Sequence, residues 1–278
     1  MQNRKEILEM QLQLNTPIET YNVNGKSVYV KRDDLMGDGE ILPPWGKLSA
    51  LRNVLLDVNP TKPLIHLSVY GSWSGWALSQ ISKELGYEFI MAYPKSKKYP
   101  EYMLEKVDRT LPLKPNMMSI LYNKVGSIAR EKDYIRLPYA FDHSAYIDTQ
   151  RKRFREVKEK LNFDHLVVSS GSGVTCLGML LEHDPFPSLF EPDNKRTFHT
   201  VCVSSESSIK KKFSKYQIYD TDNVEIVKSE FAFDDKMEWY DTPFPCNEFW
   251  DKKAWYWLEQ NISKFDGDIL FWNIGGNW

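Results

Sequence analysis

The chain has 278 residues, enough to bury a sizeable core in one large domain or two compact lobes. A net charge of -2, with 42% hydrophobic and 27% charged residues, gives no overall attraction to nucleic acid or acidic membranes. The cysteines at 176, 202 and 246 form neither a C-x-x-C motif nor a paired framework, so we expect a reduced, cytoplasmic protein without a disulfide scaffold.

The first segment, MQNRKEILEMQLQL, lacks the apolar core of a leader peptide, and no later stretch reaches roughly 18 uninterrupted apolar residues. We therefore expect no membrane span. β-type runs and helical runs then alternate along the chain. The predicted strands are 27–33, 63–71, 87–94, 164–171, 198–205 and 268–276, and the predicted helices lie around 47–57, 74–85, 148–161, 174–182 and 250–263.

This alternation indicates βαβ units, and so an α/β fold with mostly parallel sheets flanked by helices. In such sheets, ligands bind beyond the carboxyl ends of the strands. The loops after three predicted strands are therefore the places to look for chemistry. The five histidines are scattered without close pairs, so we expect no metal centre.

The first loop lies in VYGSWSGWALSQISKELG, residues 69–86, where small residues between Gly71 and Gly75 precede an amphipathic helix. Backbone N–H groups at such a helix start favour an anion, although an ordinary serine N-cap also explains the pattern. The third loop, in DILFWNIGGNW, ends on Gly275 and Gly276. These glycines allow close approach of a ligand, but a fraying chain end explains them equally well.

The second loop lies in HLVVSSGSGVTCLGML, residues 165–180, between an apolar strand and a helix. Its glycines, hydroxyl groups and helix N-terminus predict a phosphate cradle, with a structural turn as the alternative interpretation. It is neither a Walker loop, since no G-K-[ST] follows, nor G-x-G-x-x-G, since Cys176 stands three residues after Gly173. Lys47 stands apart from these loops, after Pro43, Pro44, Trp45 and Gly46 at a predicted helix start.

Together, the loops and Lys47 resemble the pyridoxal-phosphate (PLP) enzymes that include 1-aminocyclopropane-1-carboxylate deaminase and D-cysteine desulfhydrase. VYVKRDDLMGDGEILPPWGKLSALRNVL is similar to the family's amino-terminal signature, and SWSGWALSQISKELG to its S-N-H segment. GSGVTCLGM resembles the phosphate loop G-S-G-G-T-x-A-G-L, and FWNIGG the ending F-x-H-T-G-G. The resemblance spans residues 15–276 in order.

The resemblance implies the two-lobed, tryptophan-synthase-β-like architecture known as PLP fold type II, and a homodimer. The large, cofactor-binding lobe would comprise residues 1–49 and 139–278, and the small lobe residues 50–138. Lys47 falls on the Schiff-base lysine, and Ser72 on the serine beside the substrate's reacting carbon. The implied phosphate cradle comprises Gly171, Ser172, Gly173, Val174 and Thr175.

The chain departs from the family pattern around the implied cofactor. Trp73 replaces an asparagine that contacts the cofactor ring, and Ser74 replaces a histidine. With Ser72, these two residues are expected to contact the substrate, and Trp73 could stack on it or wall off the pocket. Ile274 replaces the threonine of the ending, which leaves Asn273 as a substitute partner for the pyridine nitrogen.

The segment EWYDTPFPCNEFWDKKAW, residues 238–255, resembles a longer family region in compressed form. It matches Tyr240 to a catalytic tyrosine, and Asp251 to a position from which a carboxylate could protonate the pyridine nitrogen. An acidic, aromatic surface loop, with Tyr240 half-buried for packing, is the alternative interpretation.

The resemblance favours a PLP-dependent lyase or deaminase that acts on a small amino acid by deamination or β-elimination. One alternative is a degenerate binding protein of the same fold. The other is an enzyme whose amino acid is carried on a modified nucleotide, contacted by the lysines of IKKKFSKY, residues 209–216. A solvated face, rather than nucleic-acid binding, is the ordinary explanation of such a run. The amino acid, its enantiomer and the reacting carbon stay open.

Overall fold

A computed structural model describes residues 15–96, 101–183, 196–218 and 223–277. By its contacts, the chain divides into an insert unit, residues 36–146, and a main unit, residues 15–35 with 147–277. The strands are β1 (Ile18–Val23), β2 (Lys26–Arg32), β3 (Leu64–Leu67), β4 (Phe89–Pro94), β5 (Thr110–Leu113), β6 (Ile135–Arg136), β7 (His165–Ser170), β8 (Thr197–Cys202), β9 (Val224–Lys228) and β10 (Ile269–Asn273). The α-helices of the described residues are α1 (Leu48–Val58), α2 (Ser74–Leu85), α3 (Tyr102–Glu105), α4 (Met118–Lys132), α5 (Ser144–Lys158), α6 (Val174–His183), α7 (Glu206–Ser214) and α8 (Asp251–Asn261).

The main unit is built on a six-stranded sheet of order β1-β2-β10-β7-β8-β9. All neighbours are parallel except β1 and β2, which form an antiparallel hairpin. Asn24 and Gly25 form its turn with φ of 49° and 87°, and positive φ at both central residues is the requirement of a type I′ turn. The carboxyl ends of β7, β8, β9 and β10 therefore lie at one edge of the sheet.

The core of the main unit packs helix α8 onto this sheet. Trp255 from α8 lies edge-on to Phe271 of β10, with ring centroids 5.0 Å apart, and Val167 of β7 belongs to the same buried cluster. These strands are nearly continuous apolar runs because both faces of a parallel sheet are covered.

The insert unit contains a four-stranded parallel sheet of order β5-β4-β3-β6. Ile65, Ala92 and the α4 residues Leu121 and Val125 share its buried cluster. The α/β fold with mostly parallel sheets confirms the sequence prediction. None of the helices in the described residues is long and apolar enough to cross a membrane.

The insert unit also includes the segment that carries Lys47. Trp76 of α2 donates its indole N–H to the carbonyl of Ile41 at 2.9 Å, and Trp45 is buried, which ties this segment to the unit. The predicted small lobe, residues 50–138, thus falls within the insert unit, and residues 36–49 and 139–146 belong to it by their contacts.

Candidate active site

Lys47 immediately precedes α1, in a largely buried stretch of the insert unit. Its carbonyl accepts the N–H of Leu51 at 2.9 Å, and its Nζ lies 5.4 Å from the centroid of the Trp45 ring. The lysine is half-buried between buried neighbours, Gly46 and Leu48. Such a partly desolvated position suits a lysine that must act as a neutral amine, and not as a solvated surface charge.

Three serine hydroxyls form a chain in the loop after β3. Ser68 Oγ lies 3.2 Å from Ser74 Oγ, and Ser72 Oγ donates to Ser74 Oγ at 3.0 Å. Ser68 and Ser74 are buried, whereas Ser72 is half-buried. Ser72 is therefore the most exposed member of this chain of hydroxyls, and its position beside a substrate stays a prediction.

Trp73 points into the protein interior. Only 2% of it is exposed, and its ring meets that of Trp76 edge-on, with centroids 5.9 Å apart. A Cβ at the neighbouring Gly75 would lie 1.9 Å from Met91 Sδ, so a side chain there would require Met91 to move. A ring this deeply buried offers no open face for a substrate to stack on, and the use of Trp73 as a pocket wall stays a prediction.

The predicted phosphate cradle connects β7 to α6 in the main unit. A Cβ at Gly171 would lie 2.5 Å from the Trp250 ring, and Gly173 has φ of 82°, so both positions require glycine. Within the described residues, the buried Ser170 hydroxyl has no hydrogen-bond partner. Val174 and Thr175 open α6, whose first N–H groups lack intrahelical acceptors. These features fit a bound phosphate.

Helix α7, which carries the lysine run, lies beneath this loop. Ile209 and Phe213 are buried, and both would be within 3.4 Å of a Cβ placed on Gly173. Lys210 pairs with Glu206 at 2.7 Å, and Lys211 is exposed on the opposite side of the helix from the buried pair. The lysine run therefore sits on the outer face of an element that supports the loop.

Asp251, at the start of α8, is a buried acceptor for three donors. Its Oδ1 accepts from Ser169 Oγ at 2.8 Å and from the N–H of Ile274 at 3.2 Å, and its Oδ2 accepts from the N–H of Gly275 at 3.1 Å. The carboxylate therefore joins the end of β7 to the Gly-Gly segment. Its proposed contact with the pyridine nitrogen stays a prediction.

Asn273, at the end of β10, is fully buried and makes three polar contacts. Its Nδ2 donates to Asp34 Oδ1 and to the Pro245 carbonyl, each at 2.8 Å, and its Oδ1 accepts from Cys246 Sγ at 3.3 Å. The proposed role as partner of the pyridine nitrogen stays a prediction, and it would require the amide to exchange one of these contacts.

The segment K-R-D-D-L, residues 31–35, supplies buried charges whose structural roles the sequence did not reveal. Arg32 forms a two-pronged pair with Asp34, at 2.9 and 2.8 Å. Burial raises the pKa of Asp34, while the hydrogen bonds from Arg32 and Asn273 act in the opposite direction. Asp33 accepts from Arg153 at 2.6 Å and from the Trp272 indole at 2.5 Å. These residues hold β2, β10 and α5 together.

Tyr240 is half-buried against the main-unit core. Its hydroxyl donates to Glu259, and its ring meets Tyr256 edge-on at 5.3 Å. Burial raises its pKa, and the nearby Glu259 adds to the effect. This environment matches the packing interpretation of Tyr240, and a catalytic role stays a prediction.

The structure is similar to solved PLP fold type II enzymes over nearly the whole chain. An ACC deaminase homologue matches with a TM-score of 0.70 and 18% identity, covering 99% of this chain and 95% of that one. A pyridoxal 5'-phosphate-dependent aspartate racemase matches with a TM-score of 0.67 and 14% identity, covering 99% and 94%. A threonine deaminase from T.th. matches with a TM-score of 0.68 and 12% identity, covering 99% of this chain and 96% of that one. These likenesses confirm the fold, and the named activities differ among them.

A sequence relative comes from Pseudomonas phage M6 and is described as a glycyl-dTMP PLP-dependent decarboxylase. It is 26% identical over 279 residues, which cover 94% of this chain and 98% of the relative. No family model matches the chain.

Proposed function

We propose that the protein is a PLP-dependent decarboxylase whose substrate is an amino-acid unit carried on a thymidine nucleotide. The end-to-end similarity to the phage glycyl-dTMP decarboxylase carries this proposal, since 94% of this chain and 98% of the relative are aligned. The substrate would thus be the amino acid on a modified nucleotide that the sequence offered as an alternative. The reaction would be loss of CO₂ and not deamination.

Each unit, taken by itself, carries residues that suit a PLP cofactor. The cradle from Gly171 to Thr175 would hold the phosphate, because its glycines leave no side chain in the way and Ser170 has a buried hydroxyl to offer. Lys47 would hold the aldehyde carbon. When bound, the cofactor condenses with a primary amine and withdraws electrons from a bond at the amine-bearing carbon.

That chemistry constrains the substrate. The amine of the amino-acid unit must be primary, so the unit would be joined to its nucleotide through carbon. Loss of CO₂ leaves an electron pair on Cα, and one proton replaces the carboxylate there. Lys47 would deliver that proton from its ammonium form, because the lysine that is displaced from the cofactor stays beside the reacting carbon.

The loop after β3 would select the bond that breaks. Ser72 would orient the substrate through its hydroxyl, backed by Ser74 and Ser68. Trp73 would wall the pocket with an indole where the resembled family has a polar amide. A carboxylate beside an indole is poorly solvated, whereas CO₂ is neutral, so this wall would favour decarboxylation over retention of the carboxylate.

Two measurements test the proposal. Purified protein with added PLP should show an absorbance band at the edge of the visible range, and Lys47→Ala should abolish it. With glycyl-dTMP that bears a primary amine, the protein should release CO₂ and a product lighter by that mass. Lys62→Ala, an exposed lysine of the same unit paired with Asp133, is the matched control and should keep both signals.

Deamination or β-elimination of a free small amino acid is the second candidate, supported by the order of family motifs across residues 15–276. Release of ammonia and a 2-oxo acid from free amino acids, with no CO₂ from the nucleotide substrate, would favour it. A protein that gives no absorbance band with PLP would instead be the degenerate binding protein. The family resemblance also supports a homodimer, which sedimentation would test.

A further inference from the structure

A cleft of about 350 Å³ lies in the main unit beside β9, the edge strand of the six-stranded sheet. Residues 228–231, at the end of β9, form one wall. The other wall is a stripe on α8 formed by Lys253, Tyr256, Trp257 and Gln260, which are spaced so that they share one helix face. Among the described residues, its lining includes none of the predicted active-site residues.

Aromatic rings line this cleft. Phe231 meets Tyr256 edge-on, with centroids 5.3 Å apart, and Trp257 packs against His199 at 5.6 Å. Tyr256 and Trp257 are half-buried, so part of each ring faces outward. Rings held in this way favour a planar ligand that stacks on them. The volume lies within the range of small-molecule sites.

An exposed lysine at the mouth of the cleft offers a contact for an anionic group. Lys228 is exposed at the mouth, Lys253 is buried deeper, and Glu230 is exposed between strand and helix. Lys253 donates to the carbonyls of Ala232 at 2.6 Å and Phe233 at 3.4 Å, which fixes the wall to α8. Asp234 and Asp235 lie near Lys253 and offset its charge, so the cation that an anionic ligand can reach is the exposed Lys228.

We propose that this cleft binds a nucleotide, with its base against Tyr256 and Trp257 and its phosphate at Lys228. Gln260, at the exposed rim, offers an amide donor and an amide acceptor to the edge of a base. The aromatic and cationic lining carries the assignment to a nucleotide. The choice of thymine as the base rests on the proposed function.

Titration calorimetry of the PLP-saturated protein with dTMP tests the site. Lys228→Ala should weaken binding about fivefold, because a partly exposed charge pair is lost. Tyr256→Leu should weaken it about tenfold through lost stacking. Glu230→Gln should tighten it, because a carboxylate that repels the phosphate is removed. Lys152→Ala, an exposed lysine on α5, is the matched control and should change nothing.

Thymidine, which lacks the phosphate, separates the two halves of the site. Tyr256→Leu should weaken the binding of thymidine, whereas Lys228→Ala and Glu230→Gln should leave it unchanged. Should Tyr256→Leu fail to fold, the two exposed charge variants still decide the matter. A dTMP affinity that is equal in wild type, Lys228→Ala and Glu230→Gln, or no saturable binding at all, would overturn the assignment.

The outcome is separable from that of the proposed function. Failure of CO₂ release with intact, Lys228-dependent dTMP binding overturns only the decarboxylase proposal. Release of CO₂ with Lys228-independent binding overturns only the cleft. A short oligothymidylate distinguishes the source of the nucleotide: tighter binding with a steeper salt dependence than dTMP indicates a nucleotide within a strand, and equal affinity indicates a free nucleotide.

Discussion

Ser169 donates its hydroxyl to Asp251 Oδ1 at 2.8 Å, although the two residues are 82 positions apart. Asp251 also accepts the N–H groups of Ile274 and Gly275. One buried carboxylate thus sets the position of both glycine-containing loops of the main unit. A substitution at Asp251 should therefore shift the backbone of these loops and so alter the binding of PLP.

Asp251→Asn keeps the size of the side chain and replaces one acceptor oxygen by a donor. At least one of the three donors then loses its partner, so we expect the free energy of unfolding to fall by about 2 kcal/mol and PLP to bind more weakly. Denaturant unfolding and titration of the absorbance band measure the two effects. Asp266→Asn, an exposed change in the same unit, is the control. Unchanged stability with a shifted band would instead favour contact with the pyridine nitrogen.

Gly173→Ala tests the cradle. The alanine must adopt φ of 82°, and its Cβ would lie 3.3 Å from Phe213 Cε1, so we expect a loss of about 1–2 kcal/mol in stability and weaker PLP binding. Gly25→Ala supplies a matched control with φ of 87° and no atom within 4 Å of the new Cβ. It should lose stability and keep its affinity for PLP. Equal loss of PLP binding in both variants would contradict a phosphate cradle at Gly173.

Ser72→Ala tests the hydroxyl chain. Ser72 is half-buried and donates to Ser74, so its loss should cost little stability. We expect the PLP band to remain and kcat/KM for CO₂ release to fall roughly 10- to 100-fold, because the substrate is less well oriented. Ser127→Ala, an exposed serine on α4 that bonds the Asn123 carbonyl, should leave the rate unchanged. Wild-type rates in Ser72→Ala would remove this serine from the reaction.

The buried His66 should make the stability of the insert unit sensitive to acid. It is buried in β3, its ring stacks on Phe141 at 4.7 Å, and burial lowers its pKa to about 3. Between pH 6.5 and about pH 3, the imidazole of His66 is protonated in the unfolded chain and neutral in the folded chain. The free energy of unfolding should therefore fall as pH decreases, by roughly 4 kcal/mol at pH 3.

The pH slope of stability measures this effect. His66→Gln should flatten the slope over that window, with a lower but less pH-dependent stability. His143→Gln is the control, since His143 is more exposed and lies 3.5 Å from Asp57. An identical slope in wild type and His66→Gln would show that other groups control acid unfolding.

The central strands could be predicted from their apolar runs, whereas the edge strands β1 and β9 could not. β7 and β10 are covered on both faces, so their sequences are nearly continuous apolar runs. β9 is the short edge strand VEIVK, and β1 is IETYNV, with polar residues between apolar ones. Neither was predicted, because their pairing with β8 and β2 comes from tertiary position, which local propensity does not encode.

The candidate site divides in the same way. Glycine and small residues after strands identified the cradle, because the backbone geometry there requires those residue types. The buried network of Asp33, Asp34, Arg153 and Trp272 carried no comparable local signal. Its partners are up to 239 residues apart, and a carboxylate's choice among distant donors depends on the folded packing.

The position of β10 between β2 and β7 sets an order of assembly during synthesis. β2 leaves the ribosome well before its parallel neighbour β10, the strand that ends at Asn273. The insert unit, by contrast, draws its internal contacts from residues 36–146 and can fold while the remainder is still being translated. β7, which leads into the cradle, therefore gains its neighbour β10 only after that strand has been translated. A nascent chain stalled before β10 would present β2 as an unprotected edge, open to pairing with other chains.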